Sequence, residues 1–351
     1  MRLRTVAISL AGLVAASVPA LADAVSDFYS GPGKQVKMII RSGVGGGYDQ
    51  YSRLMARHIG KHIPGNPQII PVNMPGGGGI VAANYVAKIA PRDGTILTMV
   101  SQGLTVDQAL GLNPSFQADL REFNWVGNMS NSSQTLAVWH TSPTKSLEDA
   151  RKRETLIGST GAGSISTQLP VIFNNMLGTK FKIIAGYADG KDVDIAMERG
   201  EVEGRGANPW VSYQSQSPRF VSDKLIIPLV QVGLVRDLPN VPILNELARR
   251  PEDQPVLDFM SKAAAVGRPI ATTPGTPADR VAALRRAFDA TIKDPEFVKE
   301  AETSRSEINA MPGEELARII NELIGAPPPV LAAVKKALES KDVTEDLPKK
   351  K

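Results

Sequence analysis

The stretch VKMIIRSGVGGGYD, residues 36–49, joins a short apolar run to a glycine-rich turn and then to a helix. Val36 to Ile40 has the length and the continuous apolar character of a buried strand. From Asp49 to about His62, apolar residues recur at intervals of three and four, which predicts an amphipathic helix. The stretch is therefore a strand, glycine turn and helix in succession, and this unit decides the fold class.

The same unit follows directly along the chain. Residues 68–73 predict a second strand, residues 75–79 read Pro-Gly-Gly-Gly-Gly, and residues 80–89 predict a helix. A third strand is predicted over residues 95–100. A βαβαβ order with glycine turns where each strand passes into its helix is typical of an α/β fold with a parallel sheet.

A second α/β segment begins near Gln134 and contains a third glycine-rich turn at residues 159–164. The last third of the chain predicts helices that begin at or near prolines, which the first turn of a helix tolerates. The predicted strands from Gln134 onward are 135–139, 156–159, 181–185 and 225–232, and the predicted helices are 146–153, 166–177, 191–199, 244–248, 277–292, 295–303, 312–324 and 330–340.

The three glycine loops, residues 43–49, 75–79 and 159–164, share a design that suits an anion. Glycine keeps side chains out of a ligand's path, and the following helix N-terminus offers unpaired N–H groups at the positive end of its dipole. In an open α/β sheet such loops lie at the carboxyl edge of the strands, where ligands bind. The alternative interpretation is that all three are simply tight turns.

The N-terminus has the three-part layout of a secretory signal peptide. Arg2 and Arg4 precede an uncharged apolar run over residues 7–18, and Ala20-Leu21-Ala22 offers small residues for cleavage. We expect residues 1–22 to be removed near Ala22 and the protein to be periplasmic; an uncleaved anchor is the alternative. No later stretch approaches the about 20 apolar residues of a spanning helix, so the protein is not expected to be membrane-embedded.

Charge and composition exclude several other classes. The chain carries a formal charge of +4, which becomes +2 once the two arginines of the signal segment are removed. It shows no basic stripe with interleaved aromatic residues, so nucleic acid is not an expected partner. It has no cysteine, so it offers no disulfide, no catalytic thiol and no site for a lipid anchor.

Nucleotide, metal and hydrolytic chemistry also lack their motifs. Tyr48 stands where a dinucleotide loop needs its third glycine, and no glycine loop continues into Lys-Ser or Lys-Thr. His58 and His62 have metal-ligand spacing, but the residues between them supply no acid, so a solvated helix face is favoured. Ser164 lacks the G-x-S-x-G context of a nucleophile and is expected to cap a helix or to donate to a ligand. We expect no catalytic residue, metal or cofactor.

At this point the ordered motifs resemble the solute receptors of tripartite tricarboxylate transporters, the Bug or TctC type. The resemblance covers essentially the whole chain after residue 22, and it is carried by the order of the motifs rather than by any single one. The matching stretches are Gly46-Gly47-Tyr48-Asp49 with Arg53, Asn73 to Gly79, Ala90-Pro91-Arg92-Asp93-Gly94-Thr95, Ser159 to Ser164, Gly200-Glu201-Val202-Glu203, Leu238 to Pro242 and Pro274 to Pro277.

The resemblance implies a two-lobed periplasmic-binding-protein fold of type II, with a hinge. Lobe one would comprise residues 34–132 and 235–340, lobe two residues 133–234, and residues 341–351 a charged mobile tail. A carboxylate would lie on the loops of lobe one, and the loop of lobe two would close onto it. The predicted ligand-binding residues are Gly45, Gly46, Gly47, Tyr48, Asp49, Pro75, Gly76, Gly77, Gly78, Ser159, Thr160, Gly161, Gly163, Ser164, Arg205 and Asn208.

Several side chains have two interpretations at this stage. Asp49 either pairs with Arg53 and caps its helix or contacts the ligand. Arg41, a departure from the family pattern, lies either in the pocket or on the surface. Arg205 either binds a second carboxylate of the ligand or forms a salt bridge, and Trp210 either walls the cleft or packs in the core.

The sequence thus predicts a monomeric receptor with no chemistry of its own, which captures a small organic carboxylate for the permease subunits of a transporter. Lobe closure over the ligand would create the form that docks on the membrane. The alternatives are a sensor subunit that presents the ligand to a membrane kinase and a periplasmic hydrolase that uses Ser164.

Overall fold

The computed structural model describes residues 18–344 except 132 and 162. Residues 1–17 of the predicted signal peptide therefore lie outside the described residues. A helix begins at Val18 and continues to Ser30, across the expected cleavage site at Ala22.

The strands and helices alternate through most of the described chain. The strands are β1 (Gln35–Ile40), β2 (Gln68–Asn73), β3 (Ile96–Met99), β4 (Asn124–Asn128), β5 (Gln134–Trp139), β6 (Thr155–Gly158), β7 (Phe181–Ile184), β8 (Gly204–Pro209), β9 (Ile226–Val232), β10 (Pro269–Thr272), β11 (Met311–Pro312) and β12 (Val343–Thr344). The helices are α1 (Val18–Ser30), α2 (Gly47–His58), α3 (Ile80–Lys88), α4 (Gly103–Leu110), α5 (Leu147–Lys152), α6 (Ile165–Ile172), α7 (Gly190–Glu198), α8 (Trp210–Gln216), α9 (Pro218–Ser222), α10 (Gln254–Ala264), α11 (Ala278–Thr291), α12 (Pro295–Thr303), α13 (Gly313–Ile324) and α14 (Pro328–Ala337).

Two six-stranded sheets organise these elements. The first sheet has the order β11-β4-β10-β3-β1-β2, and the second has the order β12-β7-β6-β8-β5-β9. In the first sheet β1 pairs in parallel with both β2 and β3, as the βαβαβ pattern predicted. Both sheets are mixed rather than purely parallel, because β10 runs antiparallel to β3 and β4, and β5 runs antiparallel to β8 and β9. The α/β class and the two-lobed architecture are confirmed.

The chain divides between the two sheets near residues 133 and 234, and the lobe boundaries stay a prediction. Every strand between residues 133 and 234 belongs to the second sheet, and the flanking segments build the first. The exception is β12, whose residues Val343 and Thr344 pair in parallel with Ile183 and Ile184 of β7. The start of the segment predicted to be a mobile tail is therefore an edge strand of the second sheet, and residues 345–351 lie outside the described residues.

Two hydrophobic clusters surround the first sheet. One lies behind β1 and contains Met38, Tyr51, Phe288 and Phe297. The other cluster continues through α4 and α10 into the second sheet, so its apolar contacts join the lobes. The ring of Phe288 on α11 is fully buried, and Gly127 of β4 lies directly against it. This contact fixes the distance between α11 and the first sheet.

Truncating this ring tests the packing of lobe one. Phe288→Ala should lower the free energy of unfolding by about 3–5 kcal/mol, because it leaves a cavity that the strand behind it cannot fill. Urea denaturation measures the change. Ile89→Ala is the control, because Ile89 is 73% exposed and its truncation removes no core contact. Equal effects of the two substitutions would contradict the assigned core.

Candidate ligand-binding cleft

A cleft lies where the carboxyl ends of strands from both sheets face each other. Residues Arg41 and Ser101 follow β1 and β3 of the first sheet, and Thr160 follows β6 of the second. A small cavity lies between them. It is lined by Arg41, Ser42, Gly47, Tyr48, Ser101, Gln102, Gln134, Thr160, Ser164, Ile165, Ser166, Asp189, Gly190, Arg205, Ala207, Asn208, Pro209 and Arg268.

The two lobes touch at the rim of this cavity. Ser101 Oγ donates to the carbonyl of Gly163 at 3.4 Å, and Gln168 Nε2 donates to the carbonyl of Gly103 at 3.1 Å. Gly78 has a φ of +69°, and a Cβ there would lie 2.6 Å from the amide nitrogen of Ser164. Only glycine fits this conformation at this separation. The loops at 75–79 and 159–164 are therefore closed on each other.

The first glycine loop is held by the side chain of Asp49. Asp49 Oδ2 accepts from the N–H of Gly45 at 2.9 Å, and its Oδ1 accepts from Arg53 Nε and Asn73 Nδ2, each at 2.8 Å. Asn73 also donates to the carbonyl of Ser42 at 2.9 Å. Asp49 is buried and does not line the cavity. Asp49 therefore pairs with Arg53 as the first interpretation proposed, but it does not cap α2, whose N-cap Gly46 has no side-chain cap hydrogen bond. The N–H of Gly45 is used within the loop.

Four helices begin at the cavity. Gly47 is the first residue of α2, Gln102 precedes α4, Ser164 caps α6 and Asp189 caps α7. Each N-terminus carries partial positive charge from its aligned peptide dipoles, while Ser164 and Asp189 accept from first-turn N–H groups of α6 and α7. The backbone alone therefore makes the cavity favourable for an anion.

Arg41 is buried between the two lobes. Its Nη1 donates to the carbonyl of Gly78 at 2.9 Å and to Ser101 Oγ at 2.7 Å, while Nη2 donates to Thr160 Oγ1 at 3.4 Å. Burial lowers the pKa of Arg41. The structure therefore answers the open question of its position, because Arg41 lies in the cleft and not on the surface.

Arg268 reaches the same cavity from the start of β10. Because β10 is antiparallel to β3, its first residues lie beside the carboxyl end of β3, where Val100 donates to the carbonyl of Pro269 at 3.0 Å. The guanidinium carbon of Arg268 lies 4.4 Å from the ring centroid of Tyr48, and that of Arg41 lies 4.3 Å from it. Tyr48 thus contacts both cations by cation–π interactions.

Arg205 forms an ion pair within lobe two. Its Nη1 lies 2.9 Å from Asp194 Oδ1, and both side chains are less than 10% exposed. Burial disfavours both charges, but the nearby Asp194 carboxylate holds the pKa of Arg205 above its usual value. A Cβ at Gly190 would overlap the guanidinium, so glycine is required there. Arg205 therefore forms a salt bridge while it also lines the cavity.

Asp189 is the other buried acid at the cavity. Its Oδ1 accepts from the N–H groups of Lys191 at 2.6 Å and Asp192 at 3.2 Å, the first turn of α7. Burial raises the pKa of Asp189 against these hydrogen bonds. Its carboxylate packs against Gly43 and Gly46 of lobe one, so the cap of one helix also contacts the facing loop.

Several buried polar atoms at the cavity have no hydrogen-bond partner among the described residues. They are Nε of Arg41, Nε of Arg268, both amide atoms of Gln102, Nε2 of Gln134 and Nδ2 of Asn208. An unsatisfied buried polar group costs about 1–3 kcal/mol, so proteins rarely keep several together without a binding role. Most of these atoms are donors, and each belongs to a side chain that lines the cavity.

The predicted ligand-binding residues fall into two groups. Those that line the cavity are Gly47, Tyr48, Thr160, Ser164, Arg205 and Asn208. The others lie in the loops around it without lining it: Gly45, Gly46, Asp49, Pro75, Gly76, Gly77, Gly78, Ser159, Gly161 and Gly163. Direct ligand contact by either group stays a prediction.

Sequence reasoning missed several lining residues. Ser101 and Gln102 follow a strand that the sequence did predict, so the strand-end rule applied to the other loops would have found them. Arg268 had no such signal, because β10 was not predicted. Trp210 is absent from the cavity lining and packs against Tyr213, with ring centroids 6.1 Å apart.

The histidines of α2 and the turn after it have structural partners. His58 Nε2 lies 2.6 Å from Glu300 Oε2, and His62 Nε2 lies 2.7 Å from Asp294 Oδ2. The prediction of a solvated face was wrong for His58, which is buried against α12. Within the described ranges no cluster of His, Asp and Glu is arranged to hold a metal ion.

Ser164 acts as the predicted helix cap. Its Oγ accepts from the N–H of Ser166 at 3.2 Å and from Thr160 Oγ1 at 2.9 Å.

Among helices of the described chain, none has the length and apolar character to cross a membrane.

The buried ion pair between Arg205 and Asp194 in lobe two can be tested directly by substitution. Asp194→Ala should lower the free energy of unfolding by about 3–5 kcal/mol, because Arg205 is left buried without its counter-charge. The control is Asp223→Ala, which breaks the exposed pair with Arg219 and should have a much smaller effect. Thermal and urea unfolding of both variants measure the two losses in free energy of unfolding. A similar loss for both would show that Arg205 is hydrated.

Comparison with known proteins agrees with this architecture. A family model described as "Tripartite tricarboxylate transporter family receptor" matches residues 52–334. A protein from R. palustris solved with adipate superposes with a TM-score of 0.68 and 20% identity, covering 87% of this chain and 97% of that one. MatC from Rhodopseudomonas palustris, solved with bound malate, gives a TM-score of 0.67 and 18% identity, covering 87% and 99%.

A curated relative supports the same assignment over a shorter span. A UPF0065 protein of Bordetella bronchiseptica is 24% identical over 177 residues, which are 49% of this chain and 50% of the relative. The chain thus matches about half the length of that protein. The solved structures establish the fold, and the family model covers most of the chain. This protein therefore belongs to the receptor family of the tripartite tricarboxylate transporters.

Proposed function

We propose that this protein is a periplasmic receptor that closes its two lobes over a small organic carboxylate. The observation that carries the proposal is the set of unsatisfied polar atoms at the cavity, supplied by both lobes beside four helix N-termini. A carboxylate presents acceptors to these donors and negative charge to the helix dipoles. The adipate and malate of the two solved neighbours agree with this ligand class.

The biological role follows from the family. After removal of residues 1–22, the receptor would bind its ligand in the periplasm and deliver it to the permease subunits of a tripartite transporter. Binding energy would favour the closed arrangement, and the closed surface would be the one that docks. The receptor would act as a monomer and without a cofactor.

Binding, rather than hydrolysis, is supported by the position of Ser164. Its hydroxyl is occupied by the cap of α6 and by the hydroxyls of Thr160 and Ser166. A nucleophilic serine needs a base within hydrogen-bond reach of its hydroxyl, and the contacts of Ser164 are with a backbone amide and other hydroxyls.

A thermal-shift screen tests the proposed ligand class. Residues 23–351 would be purified and mixed with di- and tricarboxylates, aromatic acids, amino acids and neutral solutes. An acid present at about 100 times its Kd should add about 2.7 kcal/mol of stability. Stabilisation by neutral solutes alone would contradict the proposal.

A glutamine at the cavity tests the proposed site. Gln134→Ala should weaken binding of the best acid from that screen about 10- to 100-fold, because a hydrogen bond to a charged group contributes about 1.5–3 kcal/mol. Isothermal titration calorimetry measures the Kd. Gln117→Ala is the matched control, because Gln117 is exposed and does not line the cavity. Unchanged binding by Gln134→Ala would place the ligand elsewhere.

A further inference from the structure

The part of the chain that the structure describes passes between the two lobes three times. Two of these crossings lie side by side, because Gln134 at the start of β5 pairs with Val232 at the end of β9. Gln134 also pairs with Pro209, the last residue of β8. Since β8 runs parallel to β6, both crossings are at the end of the second sheet that faces the cleft.

The third crossing reaches the opposite corner of the second sheet. It runs from α14, which packs on α4 and α10, to the edge strand β12. Five strand intervals, about 24 Å, separate β12 from β9 in the sheet order. Because β12 is parallel to β7 and β7 is parallel to β6, β12 enters from the end away from the cleft. We call α14 together with residues 338–344 the strap.

The first attachment of the strap to lobe two is Asn175. Its Nδ2 donates to the carbonyls of Ala337 and Glu339, each at 2.8 Å, at the end of α14. The last carbonyls of a helix have no partner within it, so an amide of lobe two caps a helix that packs on lobe one. Asn175 lies in a single π-turn, Phe173–Leu177, which follows α6, and such turns occur often at functional positions.

The second attachment is β12 itself. The N–H groups of Ile183 and Ala185 donate to the carbonyls of Asp342 and Thr344, each at 2.7 Å. Pairing along β12 alone would be explained by the need to cover the edge of β7 against other strands. Covering that edge does not require the bonds of Asn175 to α14, so the strap has a second role.

The attachment to lobe one is apolar. Val334 and Ala337 of α14 are buried in the cluster that contains Leu104 of α4 and Leu257 of α10. The strap is therefore fixed at both ends. Any movement of lobe two about the two paired crossings acts on the strap through a lever as long as the second sheet is wide, so a small rotation becomes a large displacement there.

We propose that the strap limits how far the two lobes open. Without it, lobe two would be joined to lobe one only along the β5 and β9 side and would be free to swing and to twist. With it, the far corner is held to α4 and α10, and the open receptor samples few arrangements. Less conformational freedom is then lost on closure, which favours binding by pre-organisation. This role does not depend on which ligand the cleft holds.

Spin-label distances measure the opening of the ligand-free protein. Because the chain has no cysteine, Lys299→Cys on α12 and Glu198→Cys on α7 give one exposed label in each lobe. Double electron–electron resonance should show a narrow distance distribution. Asn175→Ala should broaden it and shift it by several ångströms to longer distances, because the end of α14 is released. Asn84→Ala is the matched control, since Asn84 Nδ2 donates to the carbonyl of Ser115 within lobe one.

Cutting the strap should have a larger effect. A protease recognition sequence inserted after Ser340 allows the link between α14 and β12 to be cut in the folded, full-length protein. Combined with Asn175→Ala, the cut should add a population at still longer distances. The same insertion after Gly111 is the control, because this exposed turn of lobe one has no neighbour within 4 Å of an added Cβ. A cut there leaves the strap whole and should not change the distances.

Hydrogen exchange at the amides of Ile183 and Ala185 shows whether β12 has left the second sheet. Longer distances in the strap variants and not in the controls support the proposal. Unchanged distances overturn it, even where these amides exchange rapidly, and β12 then only covers an edge. If the cut protein unfolds, Asn175→Ala alone gives the answer, because Asn175 is exposed and its truncation removes the bonds to α14 without breaking the chain.

Discussion

Burial of positive charge between two lobes is the constraint on which this structure depends. Arg41, Arg205 and Arg268 are 5%, 7% and 4% exposed, and a buried charge costs several kcal/mol unless something balances it. Arg205 is balanced inside its own lobe by Asp194. Arg41 and Arg268 share the ring of Tyr48 instead. Arg41 of lobe one therefore meets the charge of Asp189 across the cleft, while Arg205 and Asp194 form their pair within lobe two.

The glycine loops serve this arrangement mainly by making space. The sequence suggested that their N–H groups would cradle an anion, but Gly45 donates to Asp49 within its own loop. At Gly47 a Cβ would lie 2.9 Å from Nη2 of Arg268, and at Gly190 it would overlap the guanidinium of Arg205. At Gly78 it would lie against the facing loop. Glycine thus lets arginine side chains and two backbones approach one another, while the helix N-termini provide the favourable potential.

How far the sequence predicts this fold depends on how locally each element is specified. The strand at Val36–Ile40 and the helix after it were predicted because their apolar periodicity is complete within the segment. The strands β4, β8 and β10 were missed, since they contain Asn, Gly or Pro and their burial comes from neighbours distant in sequence. The residues of the candidate site divide in the same way, into locally specified and non-local ones. Strand-end loops were predictable, whereas Arg268 reaches the cavity only through the antiparallel pairing of β10 with β3.

The buried cations Arg41 and Arg268 offer a physical account of ligand-dependent closure. In an open cleft Arg41 and Arg268 would be hydrated, and closure would remove that water. Closure without an anion then carries the cost of two desolvated cations, so the empty receptor would favour the open form. A ligand shifts a conformational equilibrium only by its difference in affinity between the two states. An anion that is enclosed by the contacts of Ser101 and Gln168 with the facing loops has this difference, because its charge meets desolvated partners only when the lobes meet.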